Sequence, residues 1–178
     1  HAQRATECAI AMQVKLAELR DKWLQQGLPR VEVRAGINAA VCMVGFIGSE
    51  IQMNFTCLGD GVNLASRLEG ANKAYGTYIM ISDAVYRQID HALFSTRFLD
   101  YLAVKGKKKP IEVHEVRGYR CDESEAWLEA DPVYKSALEK YLARSWDEAI
   151  ELFENVLKLC PGDGPAGIYI ERCRQFKL

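Results

Sequence analysis

Several common devices are missing from this sequence, and each absence narrows what the chain can be. None of the six cysteines (Cys8, Cys42, Cys57, Cys121, Cys160 and Cys173) stands in a C-x-x-C spacing. That argues against a zinc site or a disulfide frame and for reduced thiols in a cytoplasmic compartment. No apolar run is long enough to span a bilayer and no signal peptide is present, so no membrane contact is expected of these residues. A net charge of -1 gives no electrostatic case for nucleic acid. No strand carries the aromatic-rich pattern of an RNA-binding α+β domain either. There is no initiating methionine, and the chain is read as a piece of something longer.

What is present is the composition of a soluble globular protein: 178 residues, 49% hydrophobic and 26% charged, enough for one domain with its own core plus an appendage. Over residues 4–26 apolar side chains recur at helical spacing (Ala9, Met12, Leu16, Leu19, Trp23), and Gly27-Leu28-Pro29 ends the helix. Val31, Val33, Ala35 and Ile37 alternate with Glu32, Arg34 and Gly36, the pattern of a half-buried strand. Residues 41–46 are apolar throughout and read as a more buried strand or hairpin arm. A short strand is expected over 78–81, then a helix capped by Ser82 and running through Ile89. Residues 94–104 and 111–119 are strand-like, and the basic turn from Lys105 to Pro110 makes them a hairpin. His91 and His114 have no spacing that suggests a metal and are read as structural.

Composition shifts at Asp122-Glu123-Ser124-Glu125. Residues 1–121 are read as the main domain, 122–129 as a linker and 130–178 as a small all-helical extension. Two amphipathic segments, 132–143 and 146–159, flank Arg144-Ser145, and a third, 165–176, could cap them. Ala137, Ala149, Phe153, Val156 and Pro161 fall at the spacing of a tetratricopeptide helix pair. One such unit cannot bury its own faces, so it should dock on a neighbour.

The stretch that organises the chain is NFTCLGDGVNLASRLEG, residues 54–70. A β-prone run breaks at Gly59-Asp60-Gly61, and the helix that follows carries Asn63 and Arg67 four residues apart, on one face and one turn from each other. A strand, a glycine turn and a helix that presents one amide and one guanidinium make a plausible site for a polar, anionic ligand. By strand alternation Cys57 points away from Thr56 and is expected in the core.

Three blocks taken together, RAGINAAVCMVGFIGS, NFTCLGDGVNLASRLEGANKAYGTYIMIS and FLDYLAVKGKKKPIEVHEV, resemble in order and spacing the C-terminal two-thirds of a class III nucleotidyl cyclase catalytic domain. The resemblance implies an α+β fold: a truncated ferredoxin-like or palm cyclase domain, a mixed sheet with helices on one face, followed by the helical extension. It implies conversion of ATP (or GTP) to the 3′,5′-cyclic nucleotide and pyrophosphate, in intracellular signalling, at two sites shared across a head-to-tail homodimer. By that match Asn63 positions the ribose, Arg67 stabilises charge on the α-phosphate, Thr56 reads the purine and Lys105 holds the outer phosphates. A polar Thr at the purine position goes with adenine, so adenylate cyclase is the reading preferred over guanylate cyclase.

The same resemblance places Mg²⁺ or Mn²⁺ on two aspartates from strands near the start of the family's domain, and those contexts do not occur in this sequence. Neither Asp60 nor Asp100 is a credible replacement. No metal ligand is therefore assigned within these residues, and the fragment alone is expected to be inactive although its parent turns over. The alternative is a non-catalytic cyclase-homology module that binds nucleotide or a partner protein. Loss of an inner strand should also leave an unpaired sheet edge, so self-association is expected. Cyclases of this kind often carry a membrane-anchored sensory region upstream.

Overall fold

The computed structural model describes residues 1–49, 51–103 and 110–177. The chain divides into two units, one of residues 1–74 and 78–119, the other of residues 75–77 and 120–178.

The first unit opens with α1 (Ala2–Gln25) and continues through β1 (Ala35–Ile37), β2 (Met43–Gly48), β3 (Met53–Leu58), α2 (Asp60–Tyr75), β4 (Ile79–Ser82), α3 (Asp83–Tyr86), β5 (Phe94–Leu102) and β6 (Ile111–Tyr119). Four strands form a mixed sheet in the order β1-β4-β6-β5, with β1 parallel to β4 and the other neighbours antiparallel. One core cluster joins the sheet to the inner face of α1: Ala9 and Ile10 lie among Ile79, Ile81, Val85, Ile89, Phe94 and Val116. Met12 belongs to the same helical stripe by spacing, yet it is exposed. Deep in the sheet, Arg97 Nε pairs with Glu115 Oε2 at 2.5 Å, both side chains almost out of solvent. A buried charge needs such a partner.

The remaining two strands form a separate antiparallel hairpin, with Phe46 opposite Phe55 and Gly45 opposite Thr56. Here the structure departs from the sequence reading. The apolar run marks a strand, but the strand is not buried: Met43, Val44, Phe46, Met53, Phe55 and Leu58 are all exposed. Among the described residues of the unit none buries these side chains, so an apolar sequence is left in solvent. Cys57 is exposed for the same reason and is no core residue. Only Ala35–Ile37 of the alternating 31–37 run pairs into the sheet. The helix after Ser82 is a single turn, and the Ser82 hydroxyl does not cap it but donates to Asn38 Oδ1 at 2.7 Å.

The second unit contains α4 (Glu125–Leu142), α5 (Trp146–Leu159) and α6 (Gly164–Phe176). Helix α4 starts seven residues before Pro132, within the stretch read as linker, because the Ser124 side chain accepts the Trp127 amide and caps it. Asp163 caps α6 in the same way through the Ala166 amide. The helices close on a ring-rich core: Tyr134 meets Phe153 edge-on at 5.7 Å, and Phe153 stacks on Tyr169 at 5.1 Å. Ala137 and Ala149 are fully buried where α4 and α5 approach.

Candidate functional site

Helix α2 is fixed along its length by β1, and that contact decides which of its faces is free. Leu64, Leu68 and Asn72 repeat every four residues and are buried. Asn72 Nδ2 donates to the Ala35 carbonyl at 3.0 Å and to the Leu68 carbonyl at 2.9 Å. Gly36 faces the helix backbone so closely that a Cβ there would meet the Ala65 carbonyl oxygen and the Glu69 amide nitrogen well inside 3 Å. At the other end Asn38 Nδ2 donates to the Gly61 carbonyl at 3.0 Å. Residues 35–38, β1 and the residue after it, therefore run antiparallel to α2 and hold it at three points.

With the inner stripe occupied, Asn63 and Arg67 lie on the exposed part of the helix, one turn apart. Gly59, at φ +148°, makes the break between β3 and α2, and its carbonyl accepts the amides of Val62 and Asn63 to start the helix. That φ favours glycine. Thr56, three residues earlier on β3, is exposed and shares a hairpin face with Met43 and Leu58. Lys105, the fourth residue expected at the site, lies outside the described residues. A cavity of about 620 Å³ opens beside the start of α2, lined among others by Asn38, Asp60, Gly61, Asp83, Arg87 and Glu112. Its lining includes none of Thr56, Asn63 and Arg67.

Two residues that matter here are not singled out by the sequence, and a third, His114, is read there only as structural. Asn38 and Asn72 orient α2 through backbone carbonyls 23 and 37 residues away. His114, on β6, is buried beneath the cavity-lining carboxylates of Asp83 and Glu112. Burial pushes the pKa of His114 down from 6.5 to about 4, against the opposing pull of the Asp83 charge, so the ring is neutral at pH 7.

Residues 1–118 match the adenylate and guanylate cyclase catalytic domain. The chain is 36% identical over 150 residues to the terminal-differentiation specific adenylate cyclase of Dictyostelium discoideum, covering 82% of this chain and 7% of that one. It superposes on the adenylyl cyclase CyaB from P. aeruginosa with a TM-score of 0.55 at 36% identity, covering 65% of this chain and 58% of that chain. On the guanylyl cyclase Cya2 the TM-score is 0.56 at 31% identity, covering 66% and 58%. This chain belongs to the adenylate and guanylate cyclase catalytic domain family. It spans only part of the length of these relatives. The Dictyostelium match covers more of the chain than the family's 118 residues, so that likeness runs on into the helical part.

The donors in place do not match the metal site that the resemblance implies. Among the described residues, the one group of three or more potential ligands lying together is Asp83, Glu112 and His114, on α3 and β6. It contains neither of the two implied aspartates and none of the residues matched on β3 and α2. The residues present do not compose the family's metal pair, and no step is derived through it.

Proposed function

We propose that this chain supplies the ribose- and phosphate-binding half of a class III adenylate cyclase active site. The observation that carries the reading is the exposed pair Asn63 and Arg67, held one turn apart on a helix clamped to β1. In-line attack of the ribose 3′-oxygen on the α-phosphorus forms one P–O bond while the bond to pyrophosphate breaks. Most of what a protein contributes to such a step is position and charge. Asn63 orients the ribose. Arg67 donates to the α-phosphoryl oxygens, where charge develops, and Lys105 neutralises the departing pyrophosphate. Thr56 hydrogen-bonds the purine edge and favours ATP over GTP. The aspartate pair that would hold Mg²⁺ or Mn²⁺, and so supply charge neutralisation at the phosphates, is not among these residues, so this chain alone is expected to be silent.

The parent acts as a homodimer in this reading, because each site takes residues from two protomers. The uncovered apolar hairpin β2–β3 and the edge strand β1 support association with a second copy. Light scattering at about 100 µM should therefore report a species larger than a monomer, and a monodisperse monomer counts against it. The helical unit is read as tetratricopeptide-like, and the burial of Ala137, Ala149, Phe153 and Val156 supports that helix packing. No helix among the described residues is long and apolar enough to cross a membrane.

A second reading, a non-catalytic cyclase-homology module, draws on the lack of a metal-binding aspartate pair. The deciding experiment is kinetic, on the intact parent. Asn63→Ala and Arg67→Ala should each lower kcat by about 10²–10³ with the fold unchanged, and Thr56→Cys should shift preference toward GTP. A parent that makes no cyclic nucleotide favours the module.

A further inference from the structure

His114 is the most deeply placed polar group near the cavity that nucleotide chemistry leaves unused. It is 3% exposed; Nδ1 has no hydrogen-bond partner among the described residues, and Nε2 has only the 3.3 Å approach of Glu112 Oε1, which is not aligned as a hydrogen bond. Leaving buried polar atoms unsatisfied is costly, so such a group asks for an explanation. The topology supplies one. Strand alternation puts Glu112 and His114 on the same face of β6. Ser82 at the end of β4 pairs with Val113, and the chain turns there into α3, which brings Asp83 over both. One ligand atom from each of the three residues lies within 4.8 Å of the others, and His114 Nε2 stands 3.3 Å from Glu112 Oε1. The Tyr86 ring stacks on the imidazole at 3.8 Å with the planes 2° apart, which fixes the ring.

We propose that Asp83, Glu112 and His114 form a binding site for a divalent transition metal of the zinc type, separate from the nucleotide-binding residues. Four-coordinate zinc with bonds of about 2.0–2.2 Å holds neighbouring ligand atoms about 3.4 Å apart. The His114–Glu112 separation already matches, and the widest separation closes by rotating carboxylates that are only partly buried. One imidazole and two carboxylates suit zinc better than calcium, which takes six to eight oxygens. The cavity reaches both carboxylates and gives the ion and its remaining water ligand a way in. His114 is held neutral, the form that ligates. The competitor is Arg87, which pairs with Asp83 at 2.9 Å. Its guanidinium is 75% exposed, and an exposed ion pair is weak enough for the metal to displace.

The test is titration of the full chain with Co²⁺, read by visible absorption, and with Zn²⁺, read by competition against a chromogenic chelator. One-to-one binding is expected, with histidine-type ligation in the Co²⁺ spectrum. Asp83→Asn and Glu112→Gln are nearly isosteric and partly exposed, so they should keep the wild-type melting temperature while losing at least about tenfold in affinity. Arg87→Gln should bind as tightly as wild type or tighter. Binding outside the site, on exposed cysteines for example, would leave both carboxylate variants unchanged. That result overturns the proposal, as does failure of the wild-type chain to bind more tightly than about 1 mM.

Discussion

Replacing Gly36 with alanine should damage this protein far more than one added methyl group suggests. The new Cβ would sit well inside 3 Å of two backbone atoms, the Ala65 carbonyl oxygen and the Glu69 amide nitrogen. A flexible side chain could move aside, but helix backbone cannot, so α2 must lift away from β1 or β1 must leave the sheet. Over-packing of this kind costs about 1–3 kcal/mol, and a backbone obstacle puts Gly36→Ala at the upper end. Lifting the helix also strains the Asn72 and Asn38 hydrogen bonds that hold its two ends. For a unit of this size about 3 kcal/mol lowers Tm by on the order of 10 °C. Gly70→Ala is the matched control, since it lies in the same helix with open space around its Cβ position. There the substitution should stabilise by about 0.5–1 kcal/mol, because alanine is the better helix former. Urea unfolding followed by circular dichroism measures both. A neutral or stabilising Gly36→Ala would refute the claim that close contact with β1 sets the position of α2.

Further outcomes are expected from other buried groups. In metal-free buffer His114 contributes stability that is complete above pH 6.5 and lost as pH falls from 6.5 toward 4, because the unfolded state takes up the proton first. That loss amounts to about 3 kcal/mol, and urea midpoints across this range should fall less steeply in His114→Gln. Arg97→Met should cost about 3–5 kcal/mol by stranding the Glu115 carboxylate, and Arg97→Met combined with Glu115→Leu should recover most of it; equal instability of the single and double variants would count against the pair. With a thiol reagent, Cys8, Cys42, Cys57 and Cys121 should react quickly in the native protein. Cys173, whose burial raises its pKa, should react only on unfolding, and fast labelling there would contradict the packing of α6.

The parts of this molecule legible in the sequence are those whose signal is local. Helix α2, its glycine entry and the shared direction of Asn63 and Arg67 follow from spacing within seventeen residues, and the strand pair β5–β6 from two apolar runs around a basic turn. The hairpin β2–β3 shows the limit of that reading. Its apolar run fixes strand character, but whether an apolar strand is buried depends on what lies across from it, and local pattern carries no such information. Asn38 and Asn72 escaped notice because their partners are main-chain carbonyls, which every residue possesses. His114 was read as structural since two of the three residues of its cluster, Glu112 and His114, are merely alternate positions on a strand. Asp83, the third, arrives only through the pairing of β4 with β6. In the helical unit a proline inside α4 suggested a helix start, whereas the Ser124 cap set the start earlier.

The central claim is that this chain holds one half of a divided active site, with Asn63 and Arg67 as its working residues. The most direct test mixes the chain with the parent protein carrying Arg67→Ala and measures cyclic AMP formed from ATP with Mg²⁺ or Mn²⁺. In the proposed arrangement the parent variant would still supply the metal-binding aspartates, and this chain would supply the missing arginine across a shared interface. Silence is expected from either component alone and cyclic AMP from the mixture, abolished when the added chain carries Asn63→Ala. Cyclic AMP from this chain alone would contradict it, as would a silent mixture whose two components associate while the wild-type parent is active.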